Sequence, residues 1–274
     1  MKPILIKPQH QRTLAEDTIE LWETRYLVWV LALRGISVRY KQSVIGLGWI
    51  VIQPVLQMMV YTFLFQYLAR VSTGDVPYAV FTFSGLILWQ YISKVIGDGS
   101  GCFVQNAPLI TKVYFPRMTL PLSIIIQNAF DFFINLCVLI LLLFLFGIVP
   151  SLKILFVLII FVCAGLLSFG VALAFASLNA IWRDATQAIP FLLQIAMFLS
   201  PVVYPSSLIP EKWQWLLNFN PIATLMQAMR WAVTDSDQFP SFEQWGIFAG
   251  YCLIFFLLGR FLFAKLETEM IDKI

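Results

Sequence analysis

The sequence predicts an all-α polytopic membrane protein with six transmembrane helices, and three observations carry that prediction. Of the 274 residues, 60% are hydrophobic and only 12% charged, against about 25% charged in soluble domains. Six apolar stretches approach the roughly 20 residues that a crossing needs: about 47–69, 79–96, 120–146, 154–178, 188–204 and 245–264. Lys and Arg collect on alternate connections, as in a chain whose positive loops stay inside.

The elements follow in order. Residues 1–46 form a cytoplasmic tail carrying an N-terminal amphipathic interface helix. The first 17 residues lack a signal peptide's apolar core and cleavage site, so the first span is expected to direct insertion. Thr13 and Glu16 have capping-box spacing, Trp22, Tyr26, Trp29 and Leu33 recur at helical spacing, and Gly35 is expected to end the helix. Its apolar stretch 26–33 is too short to cross, and Glu16, Asp17, Glu20 and Glu23 occupy other faces. A helix lying in the interface fits; a soluble amphipathic helix packed on the body is the alternative. Lys2, Lys7, Arg12, Arg25, Arg34, Arg39 and Lys41 precede span one. Lys112 and Arg117 follow span two, Arg183 follows span four, and Lys265 and Lys273 lie in the tail 265–274. Only Arg70, Lys153, Lys212 and Arg230 fall on the other side, so both termini are expected in the cytoplasm.

Between spans five and six, Ser200-Pro-Val-Val-Tyr-Pro205 leads to an apolar piece, 221–233, too short to cross. Two re-entrant short helices broken at Asn220-Pro221 are expected. Broken backbone at membrane depth must be buried in protein or face water, which implies a cavity nearby; a surface loop with two interfacial helices is the alternative. No internal repeat or linker divides the chain, so residues 1–274 read as one domain, with spans over 47–264.

Composition and motifs exclude several chemistries. The net charge of +3 is membrane patterning and does not imply nucleic acid. Cys102, Cys137, Cys163 and Cys252 form no CxxC pair and read as reduced structural thiols without zinc. His10 is the only histidine, so no catalytic residues are assigned. Gly97-Asp-Gly-Ser-Gly101 reads as small residues at a helix end, and GxxxxGK[ST] is absent. If the protein does energy-driven work, ATP must bind another polypeptide.

Two polar patterns remain. Asn128, Asp131 and Asn135 share one face of span three, and either a hydrated path or interhelical hydrogen bonding accounts for them. Trp49, Gln53, Gln57, Tyr61 and Phe65 form one stripe on span one. Aromatic rings stack on sugar faces while amides bond hydroxyls; a lipid belt with helix packing is the other reading. A membrane enzyme of glycolipid synthesis is a remote alternative, because Asp98 and Asp184 stand isolated where such an enzyme clusters acids.

Five motifs taken in order resemble the type-2 ABC transporter permeases that export polysaccharides, above all the O-antigen exporter permease. They are Arg39-Tyr-Lys-Gln-Ser-Val-Ile-Gly46 with Trp49 and Gln53-Pro54; Pro77-Tyr78 with Phe83-Ser-Gly85 and Trp89; Asn106-Ala-Pro-Leu-Ile-Thr-Lys-Val-Tyr-Phe-Pro-Arg117; Leu178-Asn179 with Arg183-Asp184; and Ser200-Pro-Val-Val-Tyr-Pro205 with Asn220-Pro221. The resemblance implies a permease of the bacterial inner membrane. It implies a homodimer with two ABC ATPase subunits, which hold ATP and Mg, and a substrate polymer on undecaprenyl diphosphate. Capsule and teichoic-acid permeases are related; a drug or small-lipid permease is the runner-up.

The resemblance further implies a polymer channel lined by spans one and five. The expected lining is Trp49, Gln53, Gln57, Tyr61 and Phe65 with Phe191, Gln194 and Phe198. Arg34, Arg39 and Lys41 are expected to hold the lipid diphosphate, anchoring at anionic lipid being the alternative. Asn106, Pro108, Leu109, Lys112, Val113, Tyr114, Phe115 and Arg117 are expected to couple to the ATPase, with Pro108 opening a short helix and Leu109, Val113 and Phe115 filling a groove on it.

Overall fold

The computed structural model describes residues 14–41, 44–113, 115–182, 184–234 and 237–273, with side chains described between 19 and 266. The expectations placed on residues 1–13, Gln42, Ser43, Tyr114, Arg183 and the side chains of Glu16, Asp17 and Lys273 lie outside these.

The chain runs through α1 (Leu14–Glu23), α2 (Arg25–Lys41), α3 (Gly48–Tyr61, continued as a π-helix over Thr62–Leu68) and α4 (Tyr78–Ser100). Two single-turn helices, α5 (Cys102–Gln105) and α6 (Ala107–Ile110), lead to α7 (Thr119–Leu145). A 3-10 turn, Leu152–Leu155, opens α8 (Phe156–Asn179). Then come α9 (Ala185–Leu199), α10 (Glu211–Asn218), α11 (Pro221–Thr234) and α12 (Phe242–Lys273).

Among the described residues, five helices are long and apolar enough to cross a membrane: Gly48–Leu68, Tyr78–Ser100, Thr119–Leu145, Leu152–Asn179 and Phe242–Leu266. The stretch expected as a fifth helical span falls short, because α9 stops at Leu199 after 15 residues. Pro201 brings no N–H, and the residue before a proline is pushed toward extended backbone. Ser200 accordingly sits at φ −103° and ψ 141°. The chain nevertheless crosses the body here. Thr186 donates to Asn179 at the end of α8, whereas the carbonyl of Val203 accepts from the Tyr78 hydroxyl at the start of α4.

α4 is the hub, buried along most of its length between α3, α7, α8, α9 and α11. Small residues set the spacing. A Cβ on Gly99 of α4 would lie 2.7 Å from that of Ala172 on α8, and one on Gly259 of α12 would lie 2.8 Å from the Gly170 carbonyl. Such close backbone approach is how apolar helices pack without a hydrophobic drive. The Gly97–Gly101 run is thus a packing device, with the Ser100 carbonyl capped by Asn179 at 3.0 Å.

A second apolar cluster joins both described ends of the chain. Leu21, Leu27 and Leu31 of α1 and α2 pack with Phe103, Phe115 and Leu120, and with Phe263 and Leu266 of α12. We call this the terminal end and the one holding Tyr78 and Val203 the far end.

Gly35 does not stop α2, which continues to Lys41. Its missing side chain serves helix contact instead: a Cβ there would fall 2.2 Å from Gln127 Oε1 of α7. Trp22, Tyr26, Trp29 and Leu33 do project outward, 47–77% exposed.

Candidate functional site

Three helices meet at a charged junction near the terminal end. Arg39, close to the end of α2, reaches Asp98 of α4 at 3.0 Å and Asp131 of α7 at 3.2 Å. Lys94 of α4 reaches the same Asp131 oxygen at 3.1 Å, and the Tyr40 hydroxyl donates to its other oxygen at 2.8 Å. Asn128 accepts from Arg39 at 3.3 Å and donates to Asp98 at 3.3 Å. Two cations face two carboxylates, so the junction is neutral.

The interhelical reading of the Asn128–Asp131–Asn135 face therefore holds for its acid. Asp131, 5% exposed as a side chain, looks at protein and bridges three helices. Asn135 instead donates to the Asp131 carbonyl one turn back. Burial works against the charge of Arg39, but Asp98 and Asp131 outweigh it and hold the guanidinium above its ordinary pKa. Burial first, and Asp131 next, push the Tyr40 phenol up to about 12. Among the described residues no three His, Cys, Asp or Glu gather to hold a metal ion.

At the far end a second arrangement closes the broken segment. Arg230 of α11 is 1% exposed. It donates to the carbonyls of Pro201 and Val202 and lies 3.8 Å over the Phe81 ring. The Val202 carbonyl would stand 2.3 Å from a Cβ on Gly85, so only glycine lets the extended chain lie against α4. Asn220 caps α11, its Oδ1 accepting from Ile222 N at 2.9 Å, while its Nδ2 donates to Ser200 Oγ at 3.0 Å. The expected break at Asn220-Pro221 is thus a helix start tied to the end of α9. Phe83-Ser-Gly85 and Ser200-Pro-Val-Val-Tyr-Pro205, distant in sequence, pack on one another.

The remaining site residues fall as follows. Trp49 and Gln53 border a cavity of about 310 Å³ with Arg39, Tyr40, Lys94 and Asp98. Further along the stripe the faces turn toward α4: Gln57 accepts from Gln90 at 2.9 Å, Tyr61 packs on the core, and Phe65 stacks on Tyr78. On α9, Phe191, Gln194 and Phe198 all face outward, the two rings 63% and 57% exposed. The opposite edge of α9 borders an apolar cleft of about 390 Å³ shared with α8 and α12.

Arg34 and Lys41 are exposed. Pro108 lies in the first turn of α6, as expected, and Asn106 donates to the Cys102 carbonyl at 2.8 Å. Lys112 and Val113 project outward, whereas Leu109 and Arg117 are half-buried. Phe115 corrects an expectation: it is 8% exposed and packs inward with Phe103 and Phe263, so it cannot fill a groove on a partner.

Lys94 and Arg230 are the residues that periodicity did not single out. Lys94 carried a signal, a cation inside an apolar run on a chain with one carboxylate in another run. Arg230 carried none, since its partners are backbone carbonyls about 30 residues away.

The sequence is similar to known proteins over most of its length. The family model described as ABC-2 type transporter matches residues 26–234. The O-antigen export system permease protein RfbA of Klebsiella pneumoniae is 30% identical over 247 residues, covering 90% of this chain and 94% of that protein. RfbA of Myxococcus xanthus is 28% identical over 93% of this chain and 98% of its own length. The polysialic acid transport protein KpsM of Escherichia coli is 25% identical over 85% and 88%.

Proposed function

The chain belongs to the ABC-2 type transporter family, and on that premise we propose that it is the permease subunit of an ABC exporter for a cell-surface polysaccharide. The carrying observation is similarity over nearly the whole chain to permeases named for O-antigen export. The substrate is O-antigen, or a related polymer, on undecaprenyl diphosphate. A separate ATPase subunit, present twice, binds ATP and Mg and supplies the work. The 25% identity to a polysialic acid transport protein keeps a capsule polymer as the second substrate reading.

Two copies of the chain meet in the inner membrane, with both termini cytoplasmic. The terminal end is the cytoplasmic one; the positive residues Arg34, Lys41, Lys112 and Lys265 near it support this. α9 with its extended continuation makes the sixth crossing. α1 and α2 lie at the cytoplasmic interface, their outward aromatics in the headgroup layer, and α10 and α11 dip into the outer leaflet as a re-entrant pair. Trp49, Gln53, Phe191, Gln194 and Phe198, all exposed among the described residues, line the path where the copies meet. Gln57, Tyr61 and Phe65 join that path only as α3 turns away from α4.

The mechanism needs no covalent chemistry. Arg34 and Lys41 receive the diphosphate, Arg39 being committed to Asp98 and Asp131. Lys112, Val113 and the α6 turn touch the ATPase, and its stroke tilts the helices they join. A wall of weak stacking and amide contacts lets a sugar chain slide, whereas a deep well would stall it. Deletion of the gene tests the reading. Lipid-linked glycan should accumulate at the cytoplasmic face while surface polysaccharide disappears, and the plasmid-borne chain should restore it. Unchanged surface polysaccharide in the deletion strain contradicts the proposal.

A further inference from the structure

A polar cavity of about 720 Å³ opens at the far end between α10, α11 and the start of α12. Its volume lies within the roughly 300–1,000 Å³ of small-molecule sites. Amides line it as a connected row. Gln244 Nε2 lies 3.2 Å from both Asn218 Oδ1 and Gln227 Oε1, and Gln227 Nε2 donates to the Gln238 carbonyl at 2.9 Å. The Gln244 side-chain oxygen accepts from Ser241 N at 2.7 Å, which fixes its orientation. Gln214 Nε2 donates to the Ile209 carbonyl at 3.1 Å. Asn218 Nδ2 and Gln214 Oε1 have no protein partner among the described residues, leaving a free donor and a free acceptor. Trp215, 53% exposed, stands on the rim edge-to-face with Phe219.

The charge in the cavity decides the ligand class. Its cation, Arg230, is spent on the carbonyls of Pro201 and Val202 and faces Asp237 at 4.0 Å. Among the described residues no second Lys or Arg lines the cavity to hold a phosphate. Amides both donate and accept, as sugar hydroxyls do, and an indole ring offers an apolar face for the C–H side of a pyranose.

We propose that this cavity is a binding site for a neutral saccharide, engaging the polymer as it leaves the far end beside the extended segment 200–205. The proposal rests on the export reading and names a sugar subsite for it. Gln214 and Asn218 bond hydroxyls, the Gln227–Gln244 pair holds Asn218 in place, and Trp215 stacks on a ring.

The test uses the chain with its ATPase subunit in nanodiscs and a panel of neutral trisaccharides of glucose, galactose, mannose and N-acetylglucosamine. Saturation-transfer NMR should show contact with at least one. Trp215→Ala and Gln244→Ala should each weaken the signal roughly fivefold. Trp215→Phe should keep most of it, and Trp182→Ala, on an exposed ring at the terminal end, should leave it unchanged. Absence of contact across the panel overturns the site, as does a signal that survives both alanine variants. Displacement of the trisaccharide by glycerol 1-phosphate also overturns it, in favour of a lipid headgroup. Failure of the export reading is seen separately. If deletion of the chain abolishes surface polysaccharide but these variants neither bind less nor export more slowly, only the cavity assignment falls. If trisaccharide binding depends on Trp215 but deletion leaves surface polysaccharide intact, the saccharide site stands and the export reading falls.

Discussion

Asp131→Asn should destabilise the protein by leaving Arg39 and Lys94 with one carboxylate between them. The wild-type junction holds two cations and two anions, so the variant carries one uncompensated positive charge. Removing one partner of a fully buried ion pair costs about 3–5 kcal/mol. Here the Arg39 and Lys94 side chains are each 30% exposed and Asp98 remains beside Arg39, so water and the second acid absorb part of the loss. A cost of about 2–3 kcal/mol follows. Lys94→Met leaves Asp131 with Arg39 at 3.2 Å and Tyr40 at 2.8 Å and should cost only about 1 kcal/mol. The double variant restores neutrality, so it should be more stable than the two single costs add up to, by about 1–2 kcal/mol. Unfolding by SDS titration in mixed micelles reads all three. Strictly additive costs would refute the reasoning, because they would mean that Asp131 and Lys94 do not interact.

Three further outcomes follow from the geometry. Gly85→Ala places a methyl 2.3 Å from the Val202 carbonyl and should cost about 1–3 kcal/mol; wild-type stability in detergent would show that the extended segment does not lie against α4. Arg230→Met strips donors from the Pro201 and Val202 carbonyls, for a loss of about 2–4 kcal/mol. Lys at that position should recover only part, since a single ammonium lacks the guanidinium's planar fork; full recovery in the same titration would count against the two-carbonyl clamp. Cysteine at Val113 should cross-link to the ATPase subunit and cysteine at Phe115 should not, and the reverse pattern would move the docking face elsewhere.

The fold was legible where local rules decide it. Long apolar runs placed α4, α7 and α8 and the start of α12 to within a few residues, and Asn220-Pro221 marked a helix break. The expected fifth span, however, ran on to 204 past the proline at 201 that ends α9, and α12 continues to Lys273, beyond the expected end at 264. The other errors lie where long-range contacts override a local signal. Gly35 looks like a helix stop, yet its role is to admit Gln127 of α7, and nothing near Gly35 names that partner. The stripe from Trp49 to Phe65 has helical spacing, but spacing cannot say that Gln57 finds Gln90 while Gln53 stays open. Asp131 announced that a partner must exist, because a lone carboxylate in an apolar helix is costly; only the packing identified Arg39, Tyr40 and Lys94. The far-end clamp was invisible because Arg230 binds backbone carbonyls, which carry no sequence identity.

Transport itself tests the central claim most directly. Inverted membrane vesicles containing this chain and its ATPase subunit are loaded on the outside with radiolabelled lipid-linked polysaccharide. On addition of ATP, the polymer should become protected from an added glycosidase, with no protection in vesicles lacking the chain or holding a hydrolysis-deficient ATPase. If the polymer stays fully digestible while ATP is hydrolysed at the normal rate, the chain is not a polysaccharide exporter.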